Sequence, residues 1–226
     1  MAKVSPSPRP SPLKGRGRYA VKEAFLTLQG EGVQSGSRAV FLRFAGCNLW
    51  SGREADRAAA QCNFCDTDFV GTDGEGGGKF AAADELAGHV ERLWGPEQAH
   101  RLVVVTGGEP MLQLDEALVD ALHERGFRVA AESNGTLPAT RGIDWLCVSP
   151  KAGTDVVQRR GDELKLVWPQ AGIDPAELES WDFRHFLIQP MDCEQREQAV
   201  AAAIALAMER PRWRLSLQAH KVVGLP

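Results

Sequence analysis

No apolar run in the chain approaches the roughly 20 residues a membrane span needs, although 43% of its 226 residues are hydrophobic, enough for a buried core. The N-terminal region lacks the apolar stretch of a secretory signal. A basic surface is also missing. Lys3, Arg9, Lys14, Arg16 and Arg18 crowd into the first 18 residues with no acid among them, which leaves 21 basic against 30 acidic residues beyond. An acidic body speaks against a nucleic-acid partner, as the absent span speaks against a membrane. The five cysteines are odd in number, so disulfides cannot use them all. With no signal, the expected compartment is the reducing cytoplasm. Histidine is absent between Cys47 and Cys65, which denies that stretch the usual completion of a zinc site.

Residues 1–18 hold Pro6, Pro8, Pro10 and Pro12 among serines and bases. They read as a disordered, dispensable extension, and residues 19–226 as one domain. From Tyr19 the chain alternates short apolar runs with helical periods. Strands are expected at 40–44, 102–105, 127–131, 145–148, 164–167 and 186–188, preceded by a loosely alternating stretch at 21–28 and followed by a candidate at 213–217. Helices are expected at 84–94, at 114–122, and around Val200, Ile204 and Met208 as a core-facing stripe. Residues 71–78 read as a flexible link. Such alternation implies parallel strands joined by crossovers, and strands apolar on both faces imply a covered sheet. About six strands are too few for a closed eight-stranded barrel. The expected fold class is therefore α/β, a partial, open parallel (β/α) barrel. Polar, glycine-rich clusters follow Phe44, Val105, Ala131, Val148 and Ile188. That is the strand-end rim where parallel α/β folds bind ligands.

Three cysteines fall in one loop: Cys47 just after a strand, then Cys62 and Cys65 on a single turn. Three thiolates are one short of a closed zinc site. They match an iron–sulfur cluster that keeps one iron open to a small molecule. Cys147, inside a strand, reads as a small core residue, and Cys193 is the distant alternative for a fourth ligand. Thr106-Gly107-Gly108-Glu109-Pro110 joins a strand to a helix. Its glycines let backbone approach a ligand closely, though alone the motif is also an ordinary β-to-α turn.

The cysteine loop and Gly-Gly-Glu-Pro together resemble the radical S-adenosylmethionine superfamily. The resemblance implies a [4Fe–4S] cluster on three cysteines, with S-adenosylmethionine on the remaining iron. The spacing departs from the superfamily's usual Cys-x3-Cys-x2-Cys: here residues 48–61 are inserted, giving Cys-x14-Cys-x2-Cys. Thr27-Leu28-Gln29-Gly30-Glu31-Gly32, the run from Phe41 to Trp50, Cys65-Asp66-Thr67-Asp68 and Ser149-Pro150-Lys151 resemble, in order, the 7-carboxy-7-deazaguanine synthase family, whose members are known with an expanded cluster-binding loop. That resemblance implies ring contraction of 6-carboxy-5,6,7,8-tetrahydropterin with loss of ammonia. S-adenosylmethionine serves as a regenerated radical source, and Mg2+ assists. It also implies an external electron donor of flavodoxin or ferredoxin type, and a homodimer.

Carried over residue by residue, the resemblance puts Leu28, Gln29 and Gly30 at the pterin, with Thr106 and the carboxylate of Pro226. Arg43 suits a bidentate grip on the substrate carboxylate. Glu31 either accepts from ring N–H groups or is a solvated turn acid. Cys47, Cys62 and Cys65 hold the cluster. Thr67 meets magnesium, which favours oxygen ligands, with Asp68 the less direct choice. Phe64, Cys65 and Asp66 lie along S-adenosylmethionine, and Gly108 at its methionine end. Ser149, Pro150 and Lys151 form one wall, Gln189, Pro190, Met191 and Asp192 another. Glu132-Ser133-Asn134-Gly135 is either nearby or a plain polar turn. No catalytic side chain is expected beyond cluster and cofactor. Two rivals stay open: an activase that makes a glycyl radical on a partner protein, and a metal protein without turnover.

Overall fold

The computed structural model describes residues 19–225. The extension expected at 1–18 and the proposed substrate contact Pro226 lie outside the described residues. Nine strands form one sheet in the order β3-β1-β2-β4-β5-β6-β7-β8-β9. They are β1 (Tyr19–Leu28), β2 (Arg38–Phe44), β3 (Gly78–Phe80), β4 (Leu102–Gly107), β5 (Arg128–Ser133), β6 (Trp145–Val148), β7 (Arg160–Trp168), β8 (Asp182–Pro190) and β9 (Trp213–Leu215). From β2 to β9 every pairing is parallel. The six expected strands are all present, and β9 adds a seventh. The sheet is open, and the two pairings at its β3 end depart from the parallel pattern. β1 runs antiparallel to β2, and β3 antiparallel to β1. Residues 71–78, read as a flexible link, instead lean on β1: Ala24 N–H donates to Glu75 O at 2.8 Å and Gly74 N–H to Lys22 O at 2.9 Å.

The strands alternate between two unlike faces. Val40 and Leu42 of β2 register with Val103 and Val105 of β4, and these with Val129 and Ala131 of β5. Together with Leu164, Leu166 and Ile188 they build the main core. Helices cover that face. α1 (Ala83–Trp94) inserts Leu86, Val90 and Trp94; α2 (Glu116–Glu124) inserts Leu118 and Leu122. Burying each leucine fully is worth about 1.5–3 kcal/mol. Asp115 caps α2 by accepting from Leu118 N–H at 3.0 Å, which satisfies one orphan donor of its first turn. The opposite face was expected to be apolar too. It is so only near the N-terminal ends of the strands, where Ala39, Leu102, Val104 and Ala130 cluster. Towards the C-terminal ends the same alternation exposes Arg43, Thr106, Glu132, Lys165 and Gln189 to a cavity.

Two helices complete the chain after the short α3 (Pro175–Leu178): α4 (Arg196–Glu209) and α5 (Ala219–Val223). α4 does not bury the stripe expected of it. Ile204 and Met208 are 45% and 80% exposed, and the seated residues are Ala199 and Ala203. Alanines occupy so much of this helix that apolar periodicity marks no single face, and the smaller side chains sit closer to the sheet. Among the described residues, no helix is long and apolar enough to cross a membrane.

Candidate functional site

The cavity at the strand ends has a volume of about 330 Å³. One wall is the cysteine loop, which Gly46 anchors twice. Gly46 N–H donates to Phe69 O, and Glu109 N–H donates to Gly46 O, both at 3.0 Å. A Cβ on Gly108 would stand 2.3 Å from Gly46 O and 2.6 Å from the Cys47 Cβ. The Gly-Gly-Glu-Pro turn is therefore bare because the cysteine loop rests on it. The carboxylate of Glu109 is wholly buried and accepts from Met111 N–H (3.0 Å), Ser133 Oγ (2.9 Å) and Asn134 N–H (2.8 Å). It thus joins the ends of β4 and β5. Asn48, next to Cys47, donates to Thr136 Oγ1 at 2.7 Å and accepts from Asn134 at 2.9 Å, so the loop is fastened to the end of β5 as well.

The insertion between Cys47 and Cys62 returns to its own start. Gln61 N–H donates to Leu49 O at 3.2 Å, and a 3-10 turn at Glu54–Ala59 fills the excursion. Arg57 holds it. Its guanidinium stacks 4.1 Å from the Trp50 ring, pairs with Glu54 at 2.8 Å, and donates to Asn63 O (3.1 Å) and Cys65 O (3.0 Å). Cys47, Cys62 and Cys65 consequently face one cavity despite their spacing. The Cys62 and Cys65 thiols share a proton: hydrogen bonding from Cys62 pulls Cys65 down to about 6, while the same bond and burial push Cys62 up. Lys151 favours the thiolate form of both. Among the described residues, no three His, Cys, Asp or Glu side chains converge tightly enough to hold a single metal ion. Three soft thiols around a roomy, lysine-flanked space fit a larger iron–sulfur cluster, which thiolates ligate.

The floor opposite is polar and buried. Lys165 projects from β7 with its side chain 5% exposed, pairs with Glu132 at 2.9 Å and contacts Glu31 Oε2. Gln29 Nε2 donates to Glu132 Oε1 at 2.8 Å, and Gln218 Nε2 to Glu31 Oε1 at 3.0 Å. Burial pushes the Glu31 carboxyl up, but the charge and hydrogen bond of Lys165 outweigh it and hold Glu31 below the usual carboxylate range. Glu31 is therefore no solvated turn acid. Arg43, also on the lining, gives its Nε to Glu23 at 2.7 Å.

The C-terminal segment straps the rim. Ala219 N–H donates to Gly30 O at 2.9 Å, and a Cβ on Gly30 would lie 2.1 Å from His220 Nδ1; only glycine admits the strap there. Lys221 bridges Asp66 (2.7 Å) and Asp192 (2.6 Å). Burial pushes the Asp66 carboxyl up, yet hydrogen bonds from Lys221 and Gln218 hold it below its ordinary value.

The cavity lining gathers the described members of the sequence-derived set with one exception. Leu28, Gln29, Gly30, Glu31, Arg43 and Thr106 line it. So do Phe64, Cys65, Asp66, Thr67 and Gly108, and Ser149, Lys151, Gln189, Pro190, Met191 and Asp192. Pro150 is buried and off the lining; it shapes the turn between two residues that face inwards. Glu132, Ser133 and Asn134 also belong to the lining, so that turn is not a bystander. Asp68 lines the cavity as well, but its carboxylate is paired with Lys22 at 2.9 Å. Cys147 is buried as expected, and Cys193 does not line the cavity. Sequence reading missed Lys165, Gln218, His220 and Lys221. The available signal for Lys165 was a lone cation inside the apolar run Leu164–Val167; the other three carried none.

Comparison with known proteins agrees with this geometry. A match to the Radical SAM superfamily covers residues 56–163. It begins inside the insertion, so Cys47 precedes it. A solved structure described as QueE from Escherichia coli superposes with a TM-score of 0.66 at 26% identity, covering 89% of this chain and 94% of that one. Proteins named 7-carboxy-7-deazaguanine synthase from Bordetella pertussis and Caulobacter vibrioides are each 60% identical over 208 residues, which is 92% of this chain and 99% of theirs. Identity sustained at that level over nearly the whole length settles kinship: the chain belongs to the 7-carboxy-7-deazaguanine synthase family of the radical SAM superfamily.

Proposed function

We propose that the chain converts 6-carboxy-5,6,7,8-tetrahydropterin to 7-carboxy-7-deazaguanine with loss of ammonia, a carbon–nitrogen lyase step in deazapurine biosynthesis leading towards queuosine. Family membership carries a [4Fe–4S] cluster and S-adenosylmethionine. When bound, they supply the radical that takes a hydrogen from the pterin ring. The observation that carries the reading is the meeting, on one cavity, of the three cysteines with the Gln29-Gly30-Glu31 and Arg43 set. An activase would use the cysteines but not that second set.

The roles follow from residue chemistry. Cys47, Cys62 and Cys65 hold the cluster. Phe64, Asp66, Gly108, Ser149, Lys151 and the run Gln189 to Asp192 enclose the cofactor, with Pro150 acting from behind. Leu28, Gln29, Gly30 and Glu31 present amide, backbone and carboxylate groups to the donor–acceptor edge of the ring. Arg43 turns its remaining guanidinium N–H groups to the substrate carboxylate. Thr106 touches the ring from the end of β4. Thr67 would offer a hydroxyl to Mg2+, a cation that favours oxygen ligands. Closing the rim excludes water from a site where a reactive species must not escape. An external donor of flavodoxin or ferredoxin type, a homodimer and a cytoplasmic setting belong to the same reading.

The test is an anaerobic assay of the reconstituted protein with reductant, S-adenosylmethionine, Mg2+ and the pterin, read by mass spectrometry. 7-Carboxy-7-deazaguanine with little net loss of S-adenosylmethionine is expected. 5′-Deoxyadenosine without the deazaguanine would reject this substrate and favour the activase.

A further inference from the structure

The site roles above leave Lys165 unassigned, yet it is the charged group around which the cavity floor is built. Its strand neighbours Leu164 and Leu166 are fully buried on the helix-covered face. Lys165 points the other way, into the cavity. There it meets two carboxylates from remote parts of the chain: Glu31 in the turn after β1 and Glu132 on β5. Each carboxylate spends one oxygen on Lys165 and the other on an amide, Gln218 for Glu31 and Gln29 for Glu132. Gln29 in turn accepts from Glu31 N–H at 3.1 Å, so the network closes on itself.

A buried ion pair alone is weak evidence of function, because a packed apolar group often stabilises as well. Three features go further. All the partners line the same cavity. The lysine has two carboxylates and so leaves a net negative charge on the floor. Two adjacent carboxylates without a cation would share a proton, and a protonated acid can no longer accept from a ligand N–H at that oxygen.

We propose that Lys165 is a positioning residue for substrate: it holds Glu31 and Glu132 side by side as charged acceptors for a ring that presents N–H donors. The proposal rests on the pterin reading above and adds the residue that fixes that pocket's charge and shape. It gives Lys165 no contact with the reacting carbon, so its removal weakens ring binding more than it slows the bound complex.

The test uses the reconstituted holoenzyme under anaerobic conditions, with 6-carboxypterin as a fluorescent, unreactive probe and 6-carboxytetrahydropterin for rates. K165M is expected to weaken probe binding and raise KM by about 30-fold or more, with a smaller fall in kcat. Cluster absorbance and the affinity for S-adenosylmethionine should stay at wild-type values. K165R keeps the charge and should bind within about tenfold of wild type. The double variant K165M/E132Q removes one cation and one anion together, and should bind the probe better than K165M. Rescue of probe affinity with cluster absorbance and S-adenosylmethionine affinity constant in all variants places the effect at the ring pocket, where a merely structural lysine would move all three.

Wild-type probe affinity in K165M overturns the proposal, and so does a K165M/E132Q that binds no better than a folded K165M. Should K165M fail to fold, K165R and the double variant decide: K165R within about tenfold of wild type with a double variant that binds the probe more weakly than K165R supports the proposal, whereas a double variant that binds as tightly as K165R, or loss of binding in K165R with an intact cluster, overturns it. A wild-type enzyme that neither binds the probe nor converts the pterin instead removes the substrate reading itself.

Discussion

The two walls of the cavity are built in opposite ways. The cysteine loop is held largely by contacts close in sequence, such as Arg57 with Glu54 and Gln61 with Leu49, and much of its insertion is exposed. The floor is buried, and its bonds join residues 103, 134 and 187 positions apart. An exposed ion pair such as Arg57–Glu54 is worth about 0–1 kcal/mol, whereas breaking a buried one costs about 3–5 kcal/mol. The insertion on the cofactor wall is thus a local motif, fastened to the ends of β4 and β5 only at its base through Gly46 and Asn48. The substrate wall does not exist until the sheet has formed.

That contrast can be broken at either wall. The largest effect is expected from Cys62→Ala: no stable brown chromophore and no turnover, with 6-carboxypterin binding retained; a fully active variant would end the cluster assignment. Arg43→Ala should raise the pterin KM by roughly 30-fold or more while leaving S-adenosylmethionine affinity nearly unchanged, and equal loss of both by titration would count against a carboxylate grip. Glu109→Gln tests the seam between the walls. Its amide would turn a donor towards N–H or O–H donors, so urea unfolding should show about 1–3 kcal/mol of lost stability. Arg57→Lys keeps charge but loses the planar fork. We expect no more than about 1 kcal/mol in unfolding, together with faster bleaching of the chromophore in air, followed by absorbance. The smallest effect belongs to deletion of residues 2–18, which should leave kcat and KM as they are in steady-state assays.

The sequence made the six parallel strands and their polar ends legible, because short apolar runs followed by glycine-rich clusters repeat. It made the cysteines legible because thiol chemistry needs few residues. What it hid has physical causes. The antiparallel β1 follows from a turn between β1 and β2, and strand direction leaves no trace in composition. The seated face of α4 was misread because Val200, Ile204 and Met208 share the i, i+4 spacing that Ala199 and Ala203 also have. Gly108 read as an approach for ligand; it does line the cavity, and its bareness also seats the cysteine loop, which the sequence did not show. Gln218, His220 and Lys221 reach the rim only because β9 ends beside β8 and returns the chain across it. Lys165 was passed over as part of a strand, and its meaning required two glutamates brought from far away.

One detail of the insertion bears on how such proteins diversify. Because Gln61 returns to Leu49, the segment between them hangs from a closed neck, and the spacing of Cys47 from Cys62 does not depend on what the neck encloses. Lengthening a loop adds closure entropy only logarithmically, about 0.6 kcal/mol for each doubling. Lineages are therefore free to trim or extend residues 51–60 with little penalty, so long as the neck and the Arg57 clasp, or a substitute for it, survive. A search pattern that counts residues between cysteines will miss such chains; one that looks for the neck will find them.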